Sequence, residues 1–405
     1  MLWVSDGSDL NYSHLPHCKG LGMIGTKNQV PGLHLHTTLC LTPDELVLGI
    51  GHATCGDIIH RTEKDKGRSA YISLENKNSF IWYLHAQQVS DLMWGYRATN
   101  IYVCDRGADD YGLYVYVYSI PNLECVIRSQ YNRKLEGEND KLHDLARKLP
   151  SSGRVTMEVS IKRENNTKKS NRGKKTRKAK MTKYKKQERR NINNFGKRKV
   201  TFNVAYKKVT IKSPKGDKNS HKSITLTVIR AWEANPIPRK KAKEWILLTT
   251  LPINNVDDAI QCIKYYRARW RVEEFFRMLK SGCNVEKVYF DTCERIKRSI
   301  AINLIVAWRL LFIGLLGGKL PPLHPGILFT DIQIRVLKGY AIKYGHSVPE
   351  TLDDALLMVG LLGGACLSKS YPHPGYMSIL NGFHKLKEFE ELFKLYEIGS
   401  KEVDA

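Results

Sequence analysis

Three carboxylic acids from separate parts of the chain, Asp6, Asp105 and Glu273, could together perform metal-assisted chemistry. Asp6 follows the short apolar start LWVS and Asp105 follows the apolar run IYVC, so each aspartate is predicted to end a β-strand. Ligands of open α/β sheets bind outside the carboxyl ends of the strands. Acidic ligands without His or Cys partners suit Mg²⁺ or Mn²⁺, and two such ions can clamp both oxygens of a phosphodiester displacement. Taken alone, an aspartate at a strand end is more often a cap or turn residue.

The segment YRARWRVEEFFRMLK, residues 266–280, has the pattern of a helix with one polar face. At 100° per residue, four polar side chains fall within an arc of about 60°. These four are Tyr266, Arg269, Glu273 and Lys280, with Trp270 beside them. Glu274 falls off this face, which favours Glu273. The alternative is an ordinary solvated face with i,i+4 ion pairs, but aromatic rings among the cations argue against it.

The charge of the chain favours a polyanionic partner, because 65 Lys and Arg face 40 Asp and Glu, a net charge of +25. Residues 162–199 contain 18 of these cations and two acids. This stretch lacks apolar periodicity and is predicted to be a long loop that contacts phosphates. The alternatives are a solvated loop and a localisation-type patch.

Periodicity divides the rest of the chain into strands and helices and predicts an α/β fold. Strands are predicted near 33–41, 46–50, 100–105, 155–161, 200–206, 224–229 and 245–248. Helices are predicted near 79–95, 256–281, 293–316, 352–361 and 386–396. Asn255 and Asp258 resemble the capping residues of the second of these helices.

Nine cysteines without a C-x-x-C pair form neither a zinc pattern nor a disulfide framework, which suits a reducing cytosol. The N-terminus lacks the pattern of a signal peptide. The most apolar window, residues 300–317, is interrupted by Arg309 and is short for a membrane span of about 20 residues. It is predicted to be a buried amphipathic helix, so we expect a cytoplasmic protein without a membrane segment.

Several motifs together resemble a known family. The polar face reads Y-x2-R-x3-E-x6-K, which is similar to the signature of bacterial insertion-sequence transposases, the DDE enzymes with a ribonuclease-H-like catalytic domain. DGSDLNY around Asp6 and VCDRGAD around Asp105 resemble the two catalytic-aspartate regions of that family. EWILLTT around Trp245 and LLGGACLSK at 361–369 resemble two further regions.

The resemblance implies a ribonuclease-H-like core that a β-strand insertion interrupts between Asp105 and Glu273, followed by a helical C-terminal unit. The implied parts are the first part of the core at 1–122, the insertion at 123–245 with its basic loop at 162–199, the second part of the core at 246–319 and the helical unit at 320–405. Relatives act as dimers on DNA, and the helical unit is the expected dimer contact.

The resemblance also implies the chemistry, which is metal-dependent cleavage of double-stranded DNA at the element's ends and strand transfer into target DNA. Asp6, Asp105 and Glu273 carry over as catalytic ligands of two Mg²⁺ or Mn²⁺ ions. The residues that carry over as DNA contacts are Tyr266, Arg269 and Lys280 on transposon-end phosphates, Trp245 and Trp270 on an unstacked base, and Arg128 in the insertion. Without the resemblance, two tryptophans are more often core residues.

One departure concerns the N-terminus, since relatives carry a DNA-binding region before the first aspartate and Asp6 is the sixth residue here. An N-terminally truncated transposase is therefore expected. The alternative is a catalytically inactive remnant that binds DNA or partners.

Overall fold

The fold is mixed α/β. The computed structural model describes residues 1–25, 29–56, 79–95, 97–162, 195–214, 222–237, 242–317, 322–367 and 374–403. The predicted basic loop lies largely outside the described residues. Contacts divide the chain into two units, which consist of Met1–Asp6 with Ile59–Trp270 and of Gly7–Ile58 with Arg271–Ala405.

Ten strands occur within the described part of the chain. In chain order they are β1 (Leu2–Asn11), β2 (Gly22–Ile24), β3 (Val30–Leu41), β4 (Val47–Gly56), β5 (Asn100–Cys104), β6 (Leu123–Arg128), β7 (Gly153–Lys162), β8 (Phe195–Lys212), β9 (Ser223–Glu233) and β10 (Glu244–Thr249). All seven predicted strands are confirmed, because each falls largely within one of these elements.

In the first unit the strand order is β1-β5-β6-β10-β9-β8-β7. The first half of β1 pairs in parallel with β5, and β5 pairs in parallel with β6. Every residue of β5 is buried, as expected for a parallel strand covered on both faces. Helix α1 (Phe80–Leu92) precedes β5, and helix α2 (Tyr111–Ser119) makes the crossover that parallel strands require.

The strands from β7 to β10 are antiparallel to their neighbours. The described side chains of β7 alternate between exposed polar and more buried apolar residues, whereas the last four residues of β10 are all buried. Phe202, Val204 and Ile229 are fully buried on the inner face. Helix α3 (Leu142–Lys148) precedes β7. β10 also pairs with β6, so the predicted insertion and the parallel strands share one hydrogen-bonded sheet within this unit.

The helix predicted at 256–281 begins as expected but is not uniform. Asn255 and Asp258 form the predicted capping box at the start of α4 (Val256–Ala268). The helix breaks at Arg269, resumes as α5 (Trp270–Arg277) and ends in a π-helical turn, Met278–Gly282. The predicted helical segment is confirmed, but its uniform 100° step fails at Lys280, because a π turn rotates less per residue.

In the second unit β3 pairs in antiparallel fashion with β2 and β4, so the strands predicted near 33–41 and 46–50 form a hairpin. Helix α6 (Cys293–Gly317) packs on β4, and Trp308 Nε1 donates a hydrogen bond to Val47 O at 3.1 Å. By length and composition α6 could cross a membrane, a test that the core helices of soluble proteins also pass. Ile300 and Leu311 on one side of α6 are buried, as an amphipathic helix requires.

Three further helices share a core with the end of α6. They are α7 (Asp331–Lys343), α8 (Leu352–Leu362) and α9 (Tyr376–Val403), which contain the two helical segments predicted in this region. A Cβ atom at Gly363 would lie 1.8 Å from Ser378 O, so only glycine permits this contact with α9. The packing of α8 against α9 therefore gives Gly363, within the described part of the predicted C-terminal motif, a structural reason.

Candidate active site

Asp6 and Asp105 lie side by side in the first unit. The parallel register of β1 with β5 ends with Ser5 beside Cys104, and the next residue of each chain segment is one of the two aspartates. Neighbouring strands are about 4.8 Å apart. Burial raises the pKa of the Cys104 thiol well above its usual range, and the charges of Asp105 and Asp6 add to this effect. Both carboxylates therefore act on the same buried atom.

The ends of the two strands differ from the prediction for Asp6. Asp105 follows the last residue of β5, but β1 continues past Asp6 to Asn11. The prediction that Asp6 ends its strand is wrong because β1 changes partner at this point. Up to Ser5 it pairs with β5, and its second half, from Gly7 on, belongs to the unit of β3, its other neighbour.

Asp105 has a capping role as well as its place beside Asp6. Its Oδ1 accepts a hydrogen bond from the Gly107 backbone N–H at 2.7 Å and begins the short 3₁₀ turn Arg106–Ala108. The capping alternative from the sequence thus describes one oxygen of this carboxylate. The side chain stays partly exposed, so capping does not exclude a ligand.

Arg269 forms an ion pair with Asp6 at the break between α4 and α5. Its Nη1 lies 2.6 Å from Asp6 Oδ2, and the two side chains are 15% and 18% exposed. The guanidinium also lies over the Tyr266 ring, 5.8 Å from its centroid. Tyr266 lies in the last turn of α4 and Arg269 directly follows that helix. The end of α4 therefore places the arginine next to the paired aspartates.

Aromatic rings stack behind Arg269. Tyr266 is only 4% exposed and meets the edge of Trp245, with centroids 5.3 Å apart. Trp245 stacks on Phe202 at 5.0 Å. Burial raises the pKa of Tyr266, against the opposing charges of Arg269 and Arg128, so the phenol is neutral at pH 7. Sequence reasoning missed Phe202, although its place on an inward face of alternating residues was the available signal.

Arg128 lies at the end of β6, where its Nη2 donates to Glu244 O at 3.3 Å and its side chain hydrogen-bonds Tyr266. Trp270 is half-buried at the start of α5. The first unit therefore contains seven of the nine predicted site residues, which are Asp6, Asp105, Arg128, Trp245, Tyr266, Arg269 and Trp270.

Glu273 and Lys280 belong to the second unit. Glu273 is half-buried on α5, whereas its neighbour Glu274 is buried and forms an ion pair with Arg271 at 2.7 Å. Glu274 thus has a structural role in an ion pair. Lys280 Nζ donates to Asp9 O at 2.5 Å.

The oxygen ligands at this site decide whether a divalent ion can bind. Among the described residues, no group of three or more His, Cys, Asp or Glu side chains is arranged to hold a metal. The adjacent carboxylates of Asp6 and Asp105 are the hard oxygen ligands that Mg²⁺ and Mn²⁺ prefer, so this pair fits such an ion. Arg269 already neutralises Asp6, so an ion and this guanidinium would compete for one carboxylate.

Comparison with known families connects this geometry to a biological activity. A family model described as Transposase DDE domain matches residues 87–309, more than half of the chain. The matched stretch includes Asp105, Trp245, Arg269 and Glu273 and begins after Asp6. With an aspartate pair, a neighbouring arginine and this match, the chain belongs to the family of proteins with a transposase DDE domain.

Proposed function

We propose that this transposase cleaves DNA at the ends of an insertion sequence and transfers those ends into target DNA by a cut-and-paste reaction. Family membership gives transposase function and DNA substrates. The adjacent positions of Asp6 and Asp105 on parallel strands are the observation that carries the finer proposal. A ribonuclease-H-like core, interrupted by strands of the 123–245 insertion, and the Y-x2-R-x3-E-x6-K subgroup belong to the same proposal.

The catalytic roles follow from the residues. Asp6, Asp105 and Glu273 are proposed to hold two Mg²⁺ or Mn²⁺ ions, which when bound lower the pKa of water and stabilise charge on phosphate oxygens. Arg269 is suited to switch from Asp6 to a phosphate, because a guanidinium binds either group with two parallel hydrogen bonds. Tyr266 and Lys280 are proposed as further phosphate ligands.

The stacked rings have a proposed role in DNA distortion. Removing a base from the stack costs a few kcal/mol, and stacking on an aromatic side chain returns about 1–3 kcal/mol. Trp245 is partly exposed, and its ring stacks on the ring of Phe202, which supports it on one face. Trp270 is proposed as its partner, and Arg128 as a backbone contact nearby.

The decisive experiment is cleavage of a duplex that carries the cognate ends by the purified full chain with Mn²⁺. We expect nicking by the wild type and none by Glu273→Gln or Asp105→Asn. Asp140→Asn is the matched control, because Asp140 pairs with the exposed Lys148 at 2.7 Å. Equal nicking by wild type and Glu273→Gln would contradict the proposed function.

A second candidate, an inactive remnant that binds DNA, is favoured by the ion pair that already neutralises Asp6. It predicts binding without cleavage, with log K falling against log salt by about 0.7–0.9 per phosphate contact. Metal-dependent nicking that requires Asp105 would exclude it.

We also propose a homodimer on DNA through the helical 320–405 region, which light scattering of the DNA complex would test. The proposed location is the bacterial cytoplasm, which cell fractionation would test.

A further inference from the structure

A buried carboxylate follows Asp105 by four residues. Asp109 is 2% exposed, and five groups donate hydrogen bonds to its carboxylate. The donors are, on Oδ1, Arg133 Nη1 at 2.6 Å and the Tyr114 hydroxyl at 2.8 Å, and, on Oδ2, the backbone N–H groups of Gln130 at 2.5 Å and Tyr131 at 2.9 Å and the Ser129 hydroxyl at 3.4 Å. A carboxylate has about four lone-pair sites, so Asp109 is saturated and has no site left for a ligand.

These bonds fix the loop that presents Asp105. The loop is a single 3₁₀ turn, Arg106–Ala108, which the Asp105 side chain caps at one end. At the other end the Asp109 N–H donates to Arg106 O at 3.3 Å, and Arg133 Nη2 donates to Asp109 O at 2.7 Å. Asp105 is therefore held by β5 on one side and by the Asp109 contacts on the other.

Four of the five donors to Asp109 come from the segment that follows β6, and the fifth, Tyr114, lies on α2. This segment begins directly after Arg128, the proposed DNA contact at the end of that strand. Through Ser129 and Arg133, this carboxylate joins the Asp105 loop to the segment after β6, whereas Arg128 itself is held within the strand.

We propose that Asp109 is a positioning residue that holds the loop of Asp105 in the geometry needed for metal binding. The proposal rests on the proposed function. A buried ion pair is weak evidence for stability, because an apolar pair of similar volume is often equally stable. We assign the Asp109–Arg133 pair the role of fixing the loop geometry, because residues that contact metal ligands set the orientation of those ligands.

The test compares the Mn²⁺ response of the full chain and its Asp109→Asn variant on the end duplex. We expect the Mn²⁺ concentration for half-maximal nicking to rise about 10–100-fold, as for other residues that orient metal ligands. Electron paramagnetic resonance of free Mn²⁺ should show a parallel loss of bound ion. DNA affinity without metal should stay the same. An Asp109→Asn variant that folds and binds Mn²⁺ like the wild type would overturn the proposal.

The matched control is Glu233→Gln. Glu233 is also a buried carboxylate of the first unit, 6% exposed, and pairs with Arg198 at 2.7 Å. Its variant should lose stability and keep the Mn²⁺ response, because its contacts lie away from the Asp105 loop. Weakened Mn²⁺ binding in both variants would show a general effect of instability and would count against the proposal.

Further variants keep the test decisive if Asp109→Asn does not fold. Tyr114→Phe removes one donor to Asp109 Oδ1 and keeps the ring, and Arg133→Lys keeps the charge without the second bond to Asp109 O. We expect both variants to fold and to bind Mn²⁺ more weakly than the wild type. Wild-type Mn²⁺ binding by both would refute positioning by Asp109. Undiminished nicking by Glu273→Gln would instead refute the proposed function.

Discussion

Two aspartate–arginine pairs in the first unit have the same distance and different surroundings. Asp6–Arg269 and Asp109–Arg133 both join Nη1 and a carboxylate oxygen at 2.6 Å. The Asp109 side chain is fully buried and takes four further hydrogen bonds, whereas Asp6 is 18% exposed. An equal distance therefore says little about role. Exposure and the number of donors decide whether a carboxylate can exchange its arginine for a ligand.

The largest expected effect is on nicking activity, which should depend on Asp6 without a matching loss of stability. Asp6→Asn should reduce nicking by on the order of 10³-fold or more, as removal of a catalytic group does elsewhere. Its melting temperature should change little, because Asn keeps the volume and Asp6 is partly exposed. Nicking assays and calorimetry on the same sample measure both. If Asp6→Asn melts as early as Asp109→Asn, the two pairs have the same role and the comparison fails.

The next effect concerns stability at the buried pair. Asp109→Asn leaves the buried Arg133 charge without its partner, which costs about 3–5 kcal/mol in comparable cases. Denaturant unfolding followed by fluorescence gives this free energy. Asp140→Asn, at an exposed pair, should change it by less than about 1 kcal/mol. A similar loss in both variants would show that burial does not set the difference.

Arg269→Gln should have a moderate effect. Because the Asp6 pair is partly exposed, the unfolding free energy should fall by about 1 kcal/mol or less. Affinity for the end duplex should also fall, and the salt dependence should lose about one phosphate contact. Fluorescence anisotropy at several salt concentrations measures this slope. An unchanged slope would mean that Arg269 serves Asp6 alone.

The smallest expected effect is on the pH dependence of stability and concerns Glu244, a partly exposed carboxylate. Burial opposes ionisation of Glu244, but hydrogen bonds and charges of Arg147 and Arg230 outweigh it and lower its pKa below 4.5. A lowered pKa stabilises the fold above the unfolded-state pKa, and this stability is lost as the pH falls through the folded-state pKa. Glu244→Gln should therefore be less stable than wild type at pH 7, by about 1 kcal/mol or less. The difference should shrink as the pH falls through the lowered folded-state pKa of Glu244, as thermal melts over a series of acidic pH values would show. A constant difference would contradict the shift.

The sequence predicted elements well where one local rule decided them. Alternation identified the strands around Phe202 and Val204, and the Asn255 cap identified the start of α4. These features depend on neighbouring residues, so the sequence contains the necessary information. The side-by-side position of Asp6 and Asp105 needed in addition the rule for strand ends in α/β sheets.

Features that depend on distant partners were not predicted. Asp109 pairs with Arg133, which follows it by 24 residues in the sequence. Nothing in the local segment DRGADD therefore distinguishes Asp109 from its acidic neighbours. The extension of β1 past Asp6 depends on its second neighbour, β3. The break at Arg269 depends on contacts with Asp6 and Tyr266 that periodicity does not contain.

The π-helical turn at Met278–Gly282 changes how the Glu–Lys spacing should be understood. A π turn holds one residue more than an α turn, so it accommodates an extra residue with little added rotation or rise along the helix axis. Deleting a single residue there would convert the turn to regular α winding and leave the residues that follow on nearly the same face, whereas the same deletion in a regular helix rotates them by about 100°. A one-residue gap in an alignment at this turn is therefore compatible with an unchanged polar face in the residues that follow.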